Sequence, residues 1–297
     1  MSGLDLSGGY FRNATISYSQ LVGSSLIEAN FESAIVYETE FFEADLRLAN
    51  FRKARLNFSD FSYANMSDVD LEDSYITSNF RNTNLERANL SNAEIQRADF
   101  AGANLTDANF FNSNLRTASF VNTDLRGAQF DQAAFEVVVY DARTEFPDGF
   151  SPSEVGMYLL ASYSSVVEVY VDFAILVELK EQNLTGMNAS YSRFHADFFR
   201  ATLDQAFFEE ANLFRSNFTE ASVIDTCFIN AHLRMTDLTR ADFQGADFRG
   251  ADLWLAVIDE TNFQGAIYNE ETRFPEDFDP AAAGAILSDG PSDACSP

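Results

Sequence analysis

Residues 103–110 read Ala-Asn-Leu-Thr-Asp-Ala-Asn-Phe, in which each large apolar residue follows a small residue by two positions and the large residues lie five apart. The same spacing places large residues at 6, 11, 16 and so on to 76, then at 80, 85, 90 and so on to 135, and again from 198 to 268. A period of five matches neither a helix nor a strand. It indicates coils that turn a corner every five residues and stack to bury a shared core. The four-residue step from Ile76 to Phe80 is interpreted as a deletion at one corner, and the alternative is a functional kink.

Phenylalanine adds a second period of ten. Alternate large positions from 11 to 130 hold Phe in ten of thirteen cases, whereas the positions between them, from 6 to 135, hold it once in fourteen. A four-sided coil of twenty residues gives this pattern, because its walls then alternate between aromatic and aliphatic. We therefore expect Phe rings to stack on Phe rings along two walls of the solenoid.

These units resemble the Ala-(Asp/Asn)-Leu-X-X motif of the pentapeptide repeat family, over residues 4–140 and 184–268. The resemblance implies an all-β fold, namely a right-handed quadrilateral parallel β-helix with twenty residues per coil. It also implies diverse functions, since the fold of a repeat protein does not give its activity.

Two segments that end the repeats align without gaps at an offset of 128. The first, 140–152, and the second, 268–280, share the pattern Tyr-X-X-X-Thr-X-Phe-Pro-X-X-Phe-X-Pro. We expect both to be terminators that cap a solenoid end, with a short helix after each proline-containing turn. Similar terminators occur in pentapeptide repeat chains of cyanobacteria, so the resemblance implies a chain of cyanobacterial type. The predicted organisation is a first solenoid with its terminator at 1–157, an apolar β-prone connector at 158–183, a second solenoid with its terminator at 184–286, and a disordered tail at 287–297.

Charge and composition exclude several classes of function. With 46 acidic and 19 basic residues the formal net charge is −27, which disfavours direct contact with nucleic acids or anionic membranes. No apolar run is long enough to insert into a membrane. Since Cys227 and Cys295 are the only cysteines, we expect no disulfide framework and a cytoplasmic protein.

No pattern in the sequence indicates an active site. The two histidines, His195 and His232, fall near predicted outward positions, and Cys227 precedes the core residue Phe228 and is also expected to point outward as an inert thiol. No set of ligands for a metal and no glycine-rich phosphate loop is present. The sequence predicts a non-enzymatic protein with no catalytic, cofactor-binding or metal-binding residues.

A protein-binding scaffold is the favoured function, and the outward aromatic residues are its candidate contacts. The alternative is that these side chains are scattered over the surface, or are covered by the connector. A second copy of the chain, forming a homodimer, is another candidate partner. The candidates are Tyr18, Tyr37, Phe58, Tyr75, Phe42 and Tyr63 in the first repeat region, and Phe214, Arg215, Arg234, Met235, Trp254 and Leu255 in the second.

An acidic DNA mimic is the competing function, because some pentapeptide repeat proteins mimic duplex DNA and bind DNA gyrase. Residues 1–140 hold 19 acidic and 10 basic residues, and residues 184–268 hold 12 and 6. At a rise of about 4.8 Å per coil, the repeats reach roughly half of the charge density of duplex DNA. The charge therefore permits mimicry but favours the scaffold.

Overall fold

The computed structural model describes residues 3–161, 164, 176–193, 195–290 and 293–295. The chain divides into two compact units, Met1–Tyr158 and Leu159–Pro297. In each unit, short parallel segments pair with their counterparts about twenty residues further on, so the chain forms a β-solenoid. Most of the predicted connector, from 165 to 175, lies outside the described residues.

One wall of the first unit is a continuous seven-stranded parallel sheet, in which each strand pairs with the next along the chain. The middle residue of each regular strand is a large residue of the five-residue pattern, and its neighbours face outward. On the other three walls the coils meet through single bridges, as in Asp5↔Ser25, Tyr10↔Asn30 and Gln20↔Glu40. Four walls of pairing at a spacing of twenty confirm the four-sided coil. The strands are β1 Thr15–Ser17, β2 Ile35–Tyr37, β3 Arg55–Asp60, β4 Tyr75–Asn79, β5 Glu94–Gln96, β6 Asn114–Arg116 and β7 Ala134–Glu136.

The remaining strands form three two-stranded sheets, which pair β8 with β9, β10 with β11, and β12 with β13. Elsewhere the second unit is built from single bridges that again recur every twenty residues, as in Asp197↔Asn217 and Asn217↔Asp237. The bounds are β8 Val139–Asp141, β9 Tyr158–Leu160, β10 Leu176–Glu178, β11 His195–Asp197, β12 Ile267–Tyr268 and β13 Ile286–Leu287, followed by a 3-10 turn at Asp293–Cys295.

The core contains the predicted columns of Phe rings. Phe31 stacks on Phe11 at 4.8 Å and on Phe51 at 4.5 Å between ring centroids. A second column passes through Phe41 and Phe61, which stack at 4.6 Å, and the two columns meet edge to face, as Phe31 and Phe41 do at 6.4 Å. Offset stacks and edge contacts are the favoured aromatic arrangements. The expectation of aromatic walls is therefore confirmed.

The four-residue step after Ile76 is absorbed by a local change of register. Asn57 pairs with Thr77, but Asp60 pairs with Asn79, so β4 is one residue shorter than the part of β3 that it faces. The pairing then proceeds normally, from Ile76 to Ile95. The second unit has a comparable step, because the spacing of bridges changes from nineteen at Arg193↔Asn212 to twenty at Asp197↔Asn217.

The two segments that align at an offset of 128 make the same contacts. The hydroxyl of Thr144 donates to the Phe120 carbonyl at 2.7 Å, and that of Thr272 donates to the Phe248 carbonyl at 2.9 Å. In each segment two Phe rings pack together over the last coil, namely Phe146 with Phe150 at 5.4 Å between centroids and Phe274 with Phe278 at 5.2 Å.

The expectation of helices after these segments is wrong. Residues 152–156 and 280–284 form turns, and strands β9 and β13 follow them. The Tyr158 amide donates to the Val138 carbonyl, and the Ile286 amide donates to the Ala266 carbonyl. Pairing with the last coil satisfies backbone groups that a solenoid end leaves open, and this outweighs the local preference for a helix.

The expectations of no disulfide and of an outward, inert Cys227 thiol are also wrong. Cys227 is bonded to Cys295 in a disulfide, and only 2% of the Cys227 surface is exposed. Cys227 does lie outside the core, in a bridge with Asp247, but the C-terminal segment covers it. The described part of that segment is ordered, since Leu287 belongs to β13, the Gly290 carbonyl accepts a hydrogen bond from Arg249, and residues 293–295 form a 3-10 turn.

Candidate partner-binding surfaces

The outward face of β1–β3 has a row of three aromatic rings, which we call the aromatic ladder (Tyr18, Tyr37 and Phe58). The Tyr18 and Tyr37 centroids lie 5.5 Å apart, and those of Tyr37 and Phe58 lie 5.9 Å apart, both edge to face. Tyr18 is 72% exposed and Phe58 is 53% exposed. The ladder is therefore a contiguous aromatic surface that spans three coils.

The corner geometry explains why Tyr18 and Phe58 point outward. Tyr18 and Phe58 stand two positions after the core residues Ile16 and Leu56, and their φ angles are 53° and 54°. Positive φ is costly for a bulky side chain, and turns that require it favour Gly or Asn at that position. The same corner has positive φ in most coils and also holds large residues such as Leu48 and Val137, so this geometry directs the Tyr18 and Phe58 side chains outward as part of the regular coil.

Carboxylates border the ladder, and we call them the acidic rim (Glu38, Glu40 and Asp60). With Tyr18 and Phe58 they line an open groove of about 430 Å³. The Tyr37 hydroxyl donates a hydrogen bond to Glu38, and this bond, with partial desolvation and the nearby negative charge, raises the pKa of Tyr37 to about 12. The phenol therefore stays neutral at physiological pH.

Sequence reasoning missed the acidic rim. The usable signal is the spacing, since Glu38 directly follows Tyr37 and Glu40 lies one coil before Asp60. In a chain with 46 acidic residues, however, the sequence alone does not distinguish these three carboxylates from the others.

The other candidates of the first unit lie beside the ladder without extending it as one stack. Phe42 and Tyr63 contact each other on the adjacent wall, with centroids 5.4 Å apart, and Tyr63 is exposed. Tyr75 follows on β4, where the guanidinium of Arg55 lies 5.2 Å from its ring centroid. The structure thus places all six residues outward, but it joins only three of them into the ladder.

The six candidates of the second unit form what we call the arginine-covered surface (Phe214, Arg215, Arg234, Met235, Trp254 and Leu255). Arg234 lies 4.5 Å from the Trp254 ring and Arg215 lies 5.3 Å from the Phe214 ring, so arginines of the same unit cover both rings. Met235 and Leu255 are exposed beside them at corners with positive φ. This surface is apolar and carries two arginines, of which Arg234 also lies 3.9 Å from the Asp252 carboxylate, in contrast to the aromatic ladder with its acidic rim.

The described residues contain no cluster of three or more His, Cys, Asp or Glu side chains that could hold a metal ion. His232 is exposed, and His195 is half-buried in β11. In the same part of the chain, no helix has the length and apolarity needed to cross a membrane.

A comparison with models of protein families agrees with this architecture. The family model described as pentapeptide repeats matches in eight copies, over residues 37–77, 78–107, 103–136, 196–234 and 236–267, which is more than half of the chain. No curated protein matches the sequence.

Several solved structures are similar to the chain. HetL, a pentapeptide repeat protein involved in heterocyst differentiation regulation in Nostoc sp. strain PCC 7120, is 21% identical over 90% of each chain, with a TM-score of 0.21. AT2G44920, from the thylakoid lumen of Arabidopsis thaliana, is 36% identical over 36% of this chain and 68% of its own, with a TM-score of 0.22. QnrB1, a plasmid-mediated fluoroquinolone resistance protein, is 14% identical over 93% of this chain and 94% of its own, with a TM-score of 0.20. With its five-residue period, its stacked coils and the family-model match, the chain belongs to the pentapeptide repeat family.

Proposed function

We propose that this protein is a non-enzymatic scaffold that binds a partner protein through its outward aromatic residues. The observation that supports this most strongly is the aromatic ladder, in which Tyr18 is 72% and Phe58 is 53% exposed at outward corners of the coil. Exposed Tyr and other aromatic residues in a contiguous patch are typical of interface hot spots. In the free protein, this surface leaves apolar area in contact with water that a partner would bury.

The arginine-covered surface is a second candidate contact. Arg and Trp are the residues most enriched at hot spots, and the stacked pair of Arg234 and Trp254 presents both at once. Met235 and Leu255 supply adaptable apolar area next to it. Since the two surfaces differ in charge, we expect them to bind different parts of one partner or two different partners.

DNA mimicry is the second candidate, and the net charge of −27 is the observation that favours it. Internal ion pairs weaken it, because they neutralise part of the acidic surface. Arg87 pairs with Asp68 at 2.7 Å, and Arg52 pairs with Asp70 at 3.3 Å. A mimic needs carboxylates that are free to face a DNA-binding protein, and here several are already engaged.

A tagged pull-down from the native source, washed at low and at high salt, distinguishes the two functions. A partner held by aromatic contacts survives the high-salt wash, whereas gyrase or another DNA-binding protein held by charge is released. The double variants Tyr18→Ser with Phe58→Ser and Phe214→Ser with Trp254→Ser should each lose a partner while the β signal in circular dichroism is unchanged. If both double variants retain every partner, the scaffold proposal is wrong. Sedimentation of the purified protein tests for a homodimer.

The disulfide changes the proposed compartment. Structural disulfides persist in oxidising compartments and are rare in the cytoplasm, where thiols are kept reduced. We therefore propose that the protein resides in an oxidising compartment, in place of the cytoplasmic location expected from composition. Trapping thiols with a maleimide before lysis tests this: Cys227 and Cys295 should resist labelling until a reductant is added, and immediate labelling of both would favour the cytoplasm.

A further inference from the structure

We propose that the aromatic ladder and the acidic rim together bind an extended, arginine-bearing segment of the partner protein. This inference rests on the proposed scaffold function and adds the chemistry of the partner. It depends on three features of the surface, namely the uncovered rings, the uncompensated carboxylates and the spacing between rings.

Guanidinium groups of the chain itself cover other outward rings. They lie over Tyr75 at 5.2 Å, over Phe199 at 4.8 Å, over Phe214 at 5.3 Å and over Trp254 at 4.5 Å. Within the described part of the chain, none lies over the rings of the ladder. Aromatic faces attract guanidinium groups, so the ladder offers to a partner the contact that the chain satisfies internally elsewhere.

The carboxylates next to the ladder lack a basic partner. Elsewhere in the same unit, Asp45 pairs with Arg47 at 2.7 Å and Asp68 pairs with Arg87 at 2.7 Å. Among the described residues, no Lys or Arg forms an ion pair with any member of the acidic rim. Negative charge beside open aromatic faces selects a cationic partner and repels an acidic one.

The spacing of the rings favours an extended segment. Their centroids follow one another at 5.5 and 5.9 Å along the stack of coils. In an extended chain, alternate side chains on one face lie roughly 6.6 to 6.8 Å apart. Arginines at alternate positions therefore reach successive rings, while their guanidinium groups also meet the carboxylates of the rim. A helical segment presents its side chains on a different repeat and matches the ladder less well.

Fluorescence anisotropy with a labelled peptide tests the proposal. The probe is fluorescein-labelled Ser-Arg-Ser-Arg-Ser-Arg-Ser, and its matched control has citrulline, which keeps the shape of arginine without its charge. We expect the full-length protein to bind the arginine peptide and not the citrulline peptide. The Tyr18→Ala, Phe58→Ala variant should bind roughly tenfold more weakly, which is typical of losing a hot spot.

A charge-matched control separates the rim from the general acidity of the protein. The variant Glu38→Gln, Glu40→Gln should weaken binding by roughly three- to tenfold at about 0.15 M salt, because the removed charges lie next to the bound cation. The variant Glu28→Gln, Glu94→Gln changes the net charge equally at exposed sites outside the groove, and it should bind as the unchanged protein does. Equal losses in the two variants would show general charge attraction and overturn the proposal.

The remaining outcomes distinguish this inference from the scaffold function. If the citrulline peptide binds as well as the arginine peptide, the ladder recognises apolar surface and the proposed chemistry is wrong. If neither peptide binds, but a cellular partner is lost from the Tyr18→Ala, Phe58→Ala variant, the scaffold function stands and the arginine-bearing segment is rejected. If that variant binds both the arginine peptide and the cellular partner as the unchanged protein does, both proposals fail at this surface.

Discussion

Phe61 tests the stacked core most directly, because it has three aromatic neighbours, two in its own column and one in the other. It is fully buried, it stacks on Phe41 at 4.6 Å and on Phe80 at 5.0 Å, and its edge meets Phe51 at 6.2 Å. Substitution Phe61→Ala leaves a cavity between two coils that cannot close without shifting both. We expect a loss of about 3 to 5 kcal/mol in the free energy of unfolding, which is the usual cost for a buried Phe.

Two matched variants set the scale for this prediction. Phe61→Leu should cost about 1 to 1.5 kcal/mol, since Leu21 and Leu71 already hold large positions of the same class. Phe11→Ala should cost about 1 to 2 kcal/mol because Phe11 is half-buried near the N-terminal end of the neighbouring column and stacks on Phe31.

Urea unfolding followed by far-ultraviolet circular dichroism measures all three variants. Phe61→Ala should be the least stable of the three variants. Phe61→Leu should be as stable as Phe11→Ala or more stable. If Phe61→Ala costs less than about 1 kcal/mol, or no more than Phe11→Ala, the columns do not stabilise the solenoid in the way described.

Three further outcomes follow from the contacts. Cys295→Ser removes a cross-link between residues separated by 68 positions, which in the chain-entropy model stabilises the fold by about 4 kcal/mol. Chemical denaturation should show the same loss of stability when the unchanged protein is treated with reductant. Reductant should not change the stability of the variant. Thr144→Ala removes the partly buried hydroxyl that donates to the Phe120 carbonyl and should cost about 1 kcal/mol in a thermal melt, with Thr144→Ser recovering most of it. The hydrogen bond from Arg87 holds the pKa of Asp68 below its ordinary value of 3.8. This pair therefore stabilises the fold above pH 3.8, and its contribution is lost as the pH falls through the lower, folded-state pKa. The Asp68→Asn variant should be slightly less stable than the unchanged protein at pH 7, and this difference in stability should vanish in stronger acid.

The sequence predicts the coil well because one spacing governs both the core and the corners. Large residues five apart, with Phe at every second one, leave four walls of alternating chemistry as the simplest packing, and the ring contacts of Phe31 and Phe41 match it. The segments at 140–152 and 268–280 were recognisable because the same local contacts require the same residues.

The sequence predicts less where distant segments meet. Cys227 occupies an outward position, as its place before Phe228 indicates, but its burial depends on a segment 68 residues away, which no local pattern encodes. The turns at 152–156 and 280–284 resemble helix starts locally, yet the strands after them are fixed by the open end of the last coil.

The candidate surfaces, too, are predictable from the sequence only in part. The outward placement of Tyr18 and Trp254 follows from counting positions in a coil, and the structure agrees with it. Whether a ring is left open or covered depends on contacts between coils, as when Arg234 lies over Trp254. The difference between the uncovered aromatic ladder and the arginine-covered surface is therefore visible only in the folded chain.

Photo-crosslinking in the native source tests the central claim, that the aromatic ladder binds a partner protein. A benzophenone amino acid replaces Tyr18 or, as the control, Thr117, which stands at the equivalent corner of a later coil with a φ of 51°. We predict a covalent adduct with one protein from position 18 and none with that protein from position 117. No adduct from position 18, or the same adducts from both positions, would contradict the account.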